Sequence, residues 1–185
     1  IMKYTSERNH QILIELLKRN GIKKIVTSPG GTNVTFVASV QSDPFFELYS
    51  SVDERSAAYI ACGMAEESGE PVVLSCTGAT AARNYFSGLT EAFYRKLPIL
   101  AVTSTMPTER IGHGFPQATD RSVLSKDIAK CSVLLPIVKD AEDEWACIVR
   151  CNEAILELQH NGNGPVHINL ETTGAVFDAT EIKPV

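Results

Sequence analysis

The sequence lacks the features that mark membrane, nucleic-acid-binding and metal-binding proteins. Its uninterrupted apolar runs are only a few residues long, whereas a transmembrane helix needs about 20. No basic cluster is present, and 17 lysines and arginines face 22 aspartates and glutamates for a net charge of −5. We therefore expect neither nucleic acid nor a membrane among its partners. The four histidines are scattered and no C-x-x-C pair occurs, so we expect no metal site within this chain.

Cysteine is scarce and irregularly spaced. The five cysteines are an odd number without the dense spacing of a disulfide framework, which favours a reducing, cytoplasmic location. Cys147 and Cys151 stand four residues apart on a predicted helix. For this pair, packing in the core is favoured over metal binding.

What the sequence does contain is the pattern of one globular domain. It has 185 residues, of which 44% are apolar and 21% charged, close to the averages for folded proteins. Short apolar runs alternate with stretches of helical periodicity, which predicts a three-layer α/β/α fold with a mostly parallel six-stranded sheet. The predicted strands are 24–27, 45–52, 72–76, 99–103, 133–138 and 166–170. The predicted helices are 6–20, 34–40, 54–68, 79–94 and 140–160.

Several residues refine this prediction. Asn33 and Asp53 are expected to cap the second and third helices. Pro136 falls inside a predicted strand and indicates an edge or bulged position. In the last helix, five large apolar residues are expected to face inward: Trp145, Ile148, Val149, Ile155 and Leu156.

Short loops at the carboxyl ends of the predicted strands hold the candidate site residues, because ligands of parallel α/β sheets bind at that edge. Loops 28–33, 53–56, 77–80 and 103–105 are rich in small and hydroxyl residues, so a flat ligand can approach the backbone. A phosphate-binding nucleotide domain is the alternative for such turns. Neither G-x-x-x-x-G-K-[ST] nor G-x-G-x-x-G occurs, which weakens that alternative. The long segment 104–127 has little periodicity and is also expected to serve the site.

Glu54 stands out because it opens a predicted helix at this edge of the sheet. A carboxylate in that position is either partly buried for chemistry or merely complements the helix dipole. The residues alone leave both interpretations open.

Four segments together resemble a known family. They are 28–31 (SPGG), 53–57 (DERSA), 76–84 (CTGATAARN) and 164–168 (GPVHI). In their order and their placement after successive strands, they are similar to the pyrimidine-binding (Pyr) domain of thiamine-diphosphate enzymes. The resemblance covers about residues 2–170. It implies a Pyr domain over 1–171 and a linker over 172–185 that leads to a missing central or diphosphate-binding domain.

Two branches of the family contribute to the resemblance. Segments 53–57 and 76–84 are similar to the carboligating synthase of the menaquinone pathway, and segments 29–31, 107–112 and 115–117 to acetolactate synthases. The first branch implies arginines at the positions of Thr32 and Met106. The second implies a glutamate at the position of Ala118.

The resemblance also implies roles for individual residues. Glu54 matches the catalytic glutamate that hydrogen-bonds a ring nitrogen of the cofactor's aminopyrimidine. Gly31 and Thr32 are expected to face the substrate. The other expected cofactor contacts are Ser28, Pro29, Gly30, Thr77, Asn84 and Gln117.

The implied activity is decarboxylation or carboligation of a 2-oxo acid with thiamine diphosphate. Mg²⁺ would be held by a diphosphate-binding domain of the same or another chain, since Gly-Asp-Gly followed by asparagine is absent here. This chain alone is therefore expected to be inactive, and the assembly to be a homo-oligomer, a dimer or tetramer. Two alternatives stay open: a natural Pyr subunit of a two-chain sulfopyruvate-type decarboxylase, and a non-catalytic α/β interaction domain.

Overall fold

Six parallel strands pair in the order β2-β1-β3-β4-β6-β5 in the computed structural model, which describes residues 2–174 and 177–185. Residue 1 of the predicted domain and residues 175 and 176 of the predicted linker lie outside the described residues. The strands are β1 Lys24–Ser28, β2 Glu47–Ser50, β3 Val72–Thr77, β4 Ile99–Thr105, β5 Ser132–Leu135 and β6 Val166–Glu171. The predicted three-layer fold is confirmed.

Helices cover both faces of the sheet. They are α1 Arg8–Arg19, α2 Val34–Gln41, α3 Glu54–Ser68, α4 Ala79–Arg83, α5 Tyr85–Arg95 and α6 Ala141–Glu157, with a short 3₁₀ helix at Thr108–Arg110. Alternate strand residues supply the two cores. Ile25 and Val73 pack with α1, α2 and α6, whereas Val26 and Leu74 pack with α3, α4 and α5. Within the described residues, no helix has both the length and the apolar character needed to cross a bilayer.

The strand ends follow the local sequence. Pro71, Pro98 and Pro165 immediately precede β3, β4 and β6. Proline has no backbone N–H, and at these positions the sheet does not need that hydrogen-bond donor. The predicted edge position of β5 is confirmed, because β5 ends just before Pro136 and pairs with β6. The second strand is shorter than predicted, since Asp43 turns the chain by accepting a hydrogen bond from the backbone N of Phe45 at 2.9 Å.

The predicted helix over 79–94 is wrong, because two helices meet at Asn84. The backbone N of Asn84 donates to the carbonyl of Ala81 at 3.0 Å, and its side-chain amide donates to the carbonyl of Thr80 at 3.4 Å. The side chain thus occupies the carbonyl that a continuous helix would offer to the backbone. The break separates the short α4 from α5.

The predicted inner face of α6 is also partly wrong. Trp145 and Leu156 are 65% and 67% exposed, and Val149 is exposed as well. The buried stripe consists of smaller residues, with Cys147, Cys151 and Ala154 fully buried. Small side chains let α6 approach α1 and the sheet closely. The packing interpretation of the two cysteines is confirmed.

Residues 177–185 return to the start of the domain. Ala179 forms an antiparallel bridge with Tyr4, and Arg8 donates to the carbonyls of Lys183 at 2.7 Å and Pro184 at 3.2 Å. That this segment leads to a further domain stays a prediction.

Candidate functional site

The carboxyl ends of β2, β1 and β3 form one continuous edge. Ser28 ends β1 and lies beside Cys76 of β3 in the parallel register. Its hydroxyl donates to the carbonyl of Ser51 at 2.7 Å, just after β2. These contacts place loops 29–33 and 51–54 side by side.

Asn33 holds the first of these loops in place. Its Oδ1 accepts from the backbone N of Gly30 at 2.7 Å, while its Nδ2 donates to the carbonyl of Ser28 and the hydroxyl of Ser75, both at 3.2 Å. Asn33 is the N-cap residue of α2 as predicted, but its side chain makes no capping bond there. Its hydrogen bonds instead join the loop to β3.

Gly30 and Thr77, both predicted cofactor contacts, touch each other. A β-carbon added at Gly30 would lie 2.3 Å from Thr77 Oγ1, so only glycine fits against this hydroxyl. Thr77 Oγ1 is buried and has no hydrogen-bond partner among the described residues. Next to it, a β-carbon at Gly31 would meet nothing within 4 Å. The loop therefore packs tightly on the buried Thr77 hydroxyl at Gly30 and is open to solvent at Gly31.

Glu54 begins α3 and is half-buried. The predicted cap is confirmed: Asp53 accepts from the backbone N of Arg55 at 2.9 Å and so fixes the first turn. Burial raises the pKa of the Cys76 thiol to about 12, and the negative charge of Glu54 adds to this rise. Burial likewise raises the pKa of Tyr85 well above its usual value, with further contributions from Cys76 and Glu54. The negative charge of Glu54 is therefore close enough to Cys76 of β3 and Tyr85 of α5 to raise the pKa of both groups.

Thr32 is directed into the protein. It is buried, and its hydroxyl donates to the carbonyl of Ser104 at 2.8 Å. The same carbonyl accepts from the backbone N of Gly78 at 2.6 Å. The Thr32 hydroxyl therefore joins the first loop to the end of β4.

The other predicted site residues lie at the surface. Pro29 and Asn84 are exposed, as is Gln117 on the long loop after β4. Gln117 has a left-handed backbone with φ of 60°, and its side chain makes no hydrogen bond to a described residue. No described contact joins these three residues to Glu54.

A second polar region, which the sequence does not predict, lies beside β4, β5 and β6 under part of the predicted site segment 104–127. Here the long loop covers a cavity of about 200 Å³ whose walls include Arg121 and Asn169. Nothing in the spacing of the loop distinguishes Arg121 from a surface arginine. In the described part of the chain, no three His, Cys, Asp or Glu side chains are grouped as metal ligands.

Comparison with known proteins gives one consistent result. Residues 8–124 match the family described as thiamine pyrophosphate enzyme, N-terminal TPP binding domain. The chain is 37% identical over 177 residues to the 2-succinyl-5-enolpyruvyl-6-hydroxy-3-cyclohexene-1-carboxylate synthase of Bacteroides thetaiotaomicron, covering 96% of this chain and 32% of that protein. The Phocaeicola vulgatus protein of the same name gives the same identity and coverage. The Porphyromonas gingivalis protein is 37% identical over 169 residues, or 90% of this chain and 29% of its own length. The chain thus spans about a third of the curated relatives that it matches.

Proposed function

The chain belongs to the thiamine pyrophosphate enzymes as their N-terminal TPP-binding domain, and from this premise we propose that it is the pyrimidine-binding half of a 2-oxo acid decarboxylase or carboligase. The observation that carries the proposal is the position of Glu54, half-buried at the start of α3 on the carboxyl edge of the sheet. That position supports the chemical interpretation of this carboxylate over a purely electrostatic one.

The residues around Glu54 fit the aminopyrimidine of thiamine diphosphate. Gly31 is exposed at the sheet edge, and the buried, unpartnered hydroxyl of Thr77 lies against the neighbouring Gly30. A flat heteroaromatic ring over this edge would bring a ring nitrogen to the Glu54 carboxylate. We propose that Ser28 and Gly30 contact the ring at the same sheet edge. Pro29, Asn84 and Gln117 are proposed to contact outer parts of the cofactor.

Thiamine diphosphate supplies, when bound, a nucleophilic carbon and an electron sink for the decarboxylated substrate. The work of this chain is to hold a proton at Glu54 Oε, in a hydrogen bond to a ring nitrogen. Two features position the carboxylate for this role. The Asp53 cap fixes the first turn of α3, and the packing of Ala57 and Ala58 in the core fixes the helix itself.

We propose that Mg²⁺ and the diphosphate are held by a separate domain, of the same or another chain, in a dimer or tetramer. The length of the relatives, about three times that of this chain, supports a partner domain. By itself this chain is expected to bind the cofactor weakly and to show negligible catalysis.

The names of the relatives describe synthases, which supports carboligation over simple decarboxylation. Thr32 and Met106 stand where the menaquinone branch implies arginines, and the Thr32 hydroxyl is already committed to Ser104. We therefore propose a small 2-oxo acid substrate, as in acetolactate synthases, with Gly31 nearest to it.

The test is steady-state turnover of the complete natural polypeptide, obtained by reading the gene beyond Val185 or by adding the natural partner chain. Glu54→Gln should lower kcat with a panel of 2-oxo acids by about a hundredfold or more, within the range of general acid–base contributions. Glu67→Gln, an exposed acid near the other end of α3, is the matched control and should be unaffected. Near-normal turnover of Glu54→Gln would remove Glu54 from the mechanism. A wild type that binds no thiamine diphosphate would favour a non-catalytic interaction domain.

A further inference from the structure

One part of the sheet is polar on a face that is otherwise apolar. Thr103, His167 and Ser132 follow one another across β4, β6 and β5 on the side where Ala101 packs in the core. Tyr85 and Phe86 of α5 lie over Thr103 and His167. Beyond them the long loop passes over the sheet, beside a cavity of about 200 Å³ that Ser132 and Asn169 help to line. A polar floor beneath a loop is what a binding site for a polar molecule requires.

Hydrogen bonds fix the orientation of this floor. The Thr103 hydroxyl donates to Asn169 Oδ1 at 3.0 Å, so it accepts from His167 Nε2 at 2.8 Å. His167 Nδ1 then accepts from the Ser132 hydroxyl at 2.6 Å. Burial, reinforced by the charge of Arg121, lowers the pKa of His167 to about 3, in agreement with a neutral imidazole. The network leaves the amide N–H groups of Asn169, in the wall of the cavity, as donors without a described acceptor.

Arg121 places a positive charge in the wall of the same cavity. It is only 6% exposed, and no described acidic residue forms an ion pair with it. One amino group donates to the carbonyl of Ala79, but Nε is buried without a partner. Burial lowers the pKa of the guanidinium, and the charge of Arg83 lowers it further. A buried cation without a counter-charge is costly, which points to an anion that the chain itself does not provide.

The remaining wall supports this interpretation. Thr119 Oγ1 is another buried hydroxyl without a partner, and it also lines the cavity. Ile111 and Leu134 add apolar surface. Asp120 also lines the cavity but is exposed, and its carboxylate accepts from the backbone N of Ser122 at 2.8 Å.

We propose that this cavity binds a small monocarboxylate, with its carboxylate at the Arg121 guanidinium and Asn169 Nδ2 and its carbon body against Ile111 and Leu134. A single guanidinium balances one negative charge, whereas a phosphate dianion would place a second charge near Asp120. At about 30 Å³ for each water molecule, the cavity holds roughly six or seven non-hydrogen atoms. The site lies on the far side of β4 from Glu54 and does not rest on the proposed function.

The test is an NMR titration of the ¹⁵N-labelled protein with isobutyrate, which lacks a 2-oxo group and so cannot act as a substrate. Saturable shifts of the Arg121 Nε–H and Asn169 amide signals are expected, with a millimolar Kd. Arg121→Met should weaken binding about tenfold or more, the loss of a charge-assisted bond. Arg110→Met is the matched control, because Arg110 stacks on Phe115 outside the cavity, and it should bind as the wild type does.

Asn169→Asp keeps the oxygen that accepts from Thr103 and replaces the donor with a negative charge, so it should also abolish binding. It serves as a second test if Arg121→Met does not fold. Inorganic phosphate should bind more weakly than isobutyrate. Absence of saturable binding, equal affinity in folded Arg121→Met or Asn169→Asp, or tighter binding of phosphate would overturn the proposal.

Discussion

Thr77 Oγ1 lies where a side chain on residue 30 would have to begin, since a β-carbon at Gly30 would come within 2.3 Å of it and 3.2 Å of Thr77 Cβ. Gly30→Ala should therefore push Thr77 from its place and lower the free energy of unfolding by about 1–3 kcal/mol. Urea unfolding measures the effect.

A double-mutant cycle isolates this contact. Adding Thr77→Ala to Gly30→Ala removes the hydroxyl that collides with the new β-carbon. The double variant should therefore lose less unfolding free energy than the sum of the losses in the two single variants. Gly31→Ala is the matched control, because a β-carbon there meets nothing within 4 Å. Additive losses would show that the two residues do not compete for space.

A second close approach sets the distance between α3 and α5. A β-carbon at Gly88 would lie 2.4 Å from Ala58 Cβ and 3.3 Å from Ala58 Cα. Gly88→Ala should force the helices apart and destabilise the protein by about 2 kcal/mol or more, with Ala58→Gly restoring part of the loss. Thermal unfolding of Gly88→Ala, with and without Ala58→Gly, tests this prediction. An unchanged Tm in Gly88→Ala would show that α3 and α5 do not pack this closely.

Acid should destabilise the fold through buried histidines. Burial lowers the pKa of His167 to about 3 and that of His10 to about 4, whereas an unfolded histidine titrates near 6.5. The unfolded chain therefore binds protons that the native protein does not. Stability is fully present above about pH 6.5 and falls as the pH drops toward these native values, by at most about 1.4 kcal/mol per pH unit for each histidine.

Urea unfolding between about pH 7 and pH 5 measures this slope, above the range in which carboxylates dominate. His167→Gln should reduce the slope, while His113→Gln, at an exposed position, should keep it. A slope that is the same in both variants would show that His167 does not titrate as its burial requires.

Lys130 closes the carboxyl end of α6. Its Nζ donates to the carbonyls of Glu157 at 2.6 Å, His160 at 2.5 Å and Gly162 at 2.8 Å. Lys130→Met should cost about 2–3 kcal/mol, since it leaves carbonyls without a charged donor. Lys126→Met, an exposed lysine nearby in the sequence, should cost little. The unfolding free energies of Lys130→Met and Lys126→Met, each compared with the wild type, test whether the Lys130 hydrogen bonds stabilise the fold. Equal losses in the two variants would contradict the prediction.

The fold could be predicted from the sequence because its main signals are local. Apolar runs of strand length and helical periodicities predict the six strands, and Pro136 indicates the edge strand. The errors arise where a side chain competes with the backbone, as Asn84 does, or where packing selects small residues, as on α6. Neither effect leaves a periodic signal.

The candidate site could be predicted only in part. Ser28, Gly30, Glu54 and Thr77 follow successive strands, so parallel pairing brings them to one edge. The position of Asn33 in the sequence predicts the N-cap of α2, but the hydrogen-bond partners of its side chain depend on how the loop folds back onto β3. Arg121 could not be found, since its burial depends on the path of a long loop without periodicity.

The strand order has a consequence for synthesis on the ribosome. β6 lies between β4 and β5 in the sheet, yet β5 leaves the ribosome first and residues 136–165 separate the two. At roughly 5–20 residues per second, β5 waits a few seconds for β6, its partner among the described strands. During that interval the outer edge of β4 is an open template for strands of neighbouring nascent chains. Translational pausing between codons 135 and 166 would therefore lower the soluble yield of this protein more than pausing within the first hundred codons.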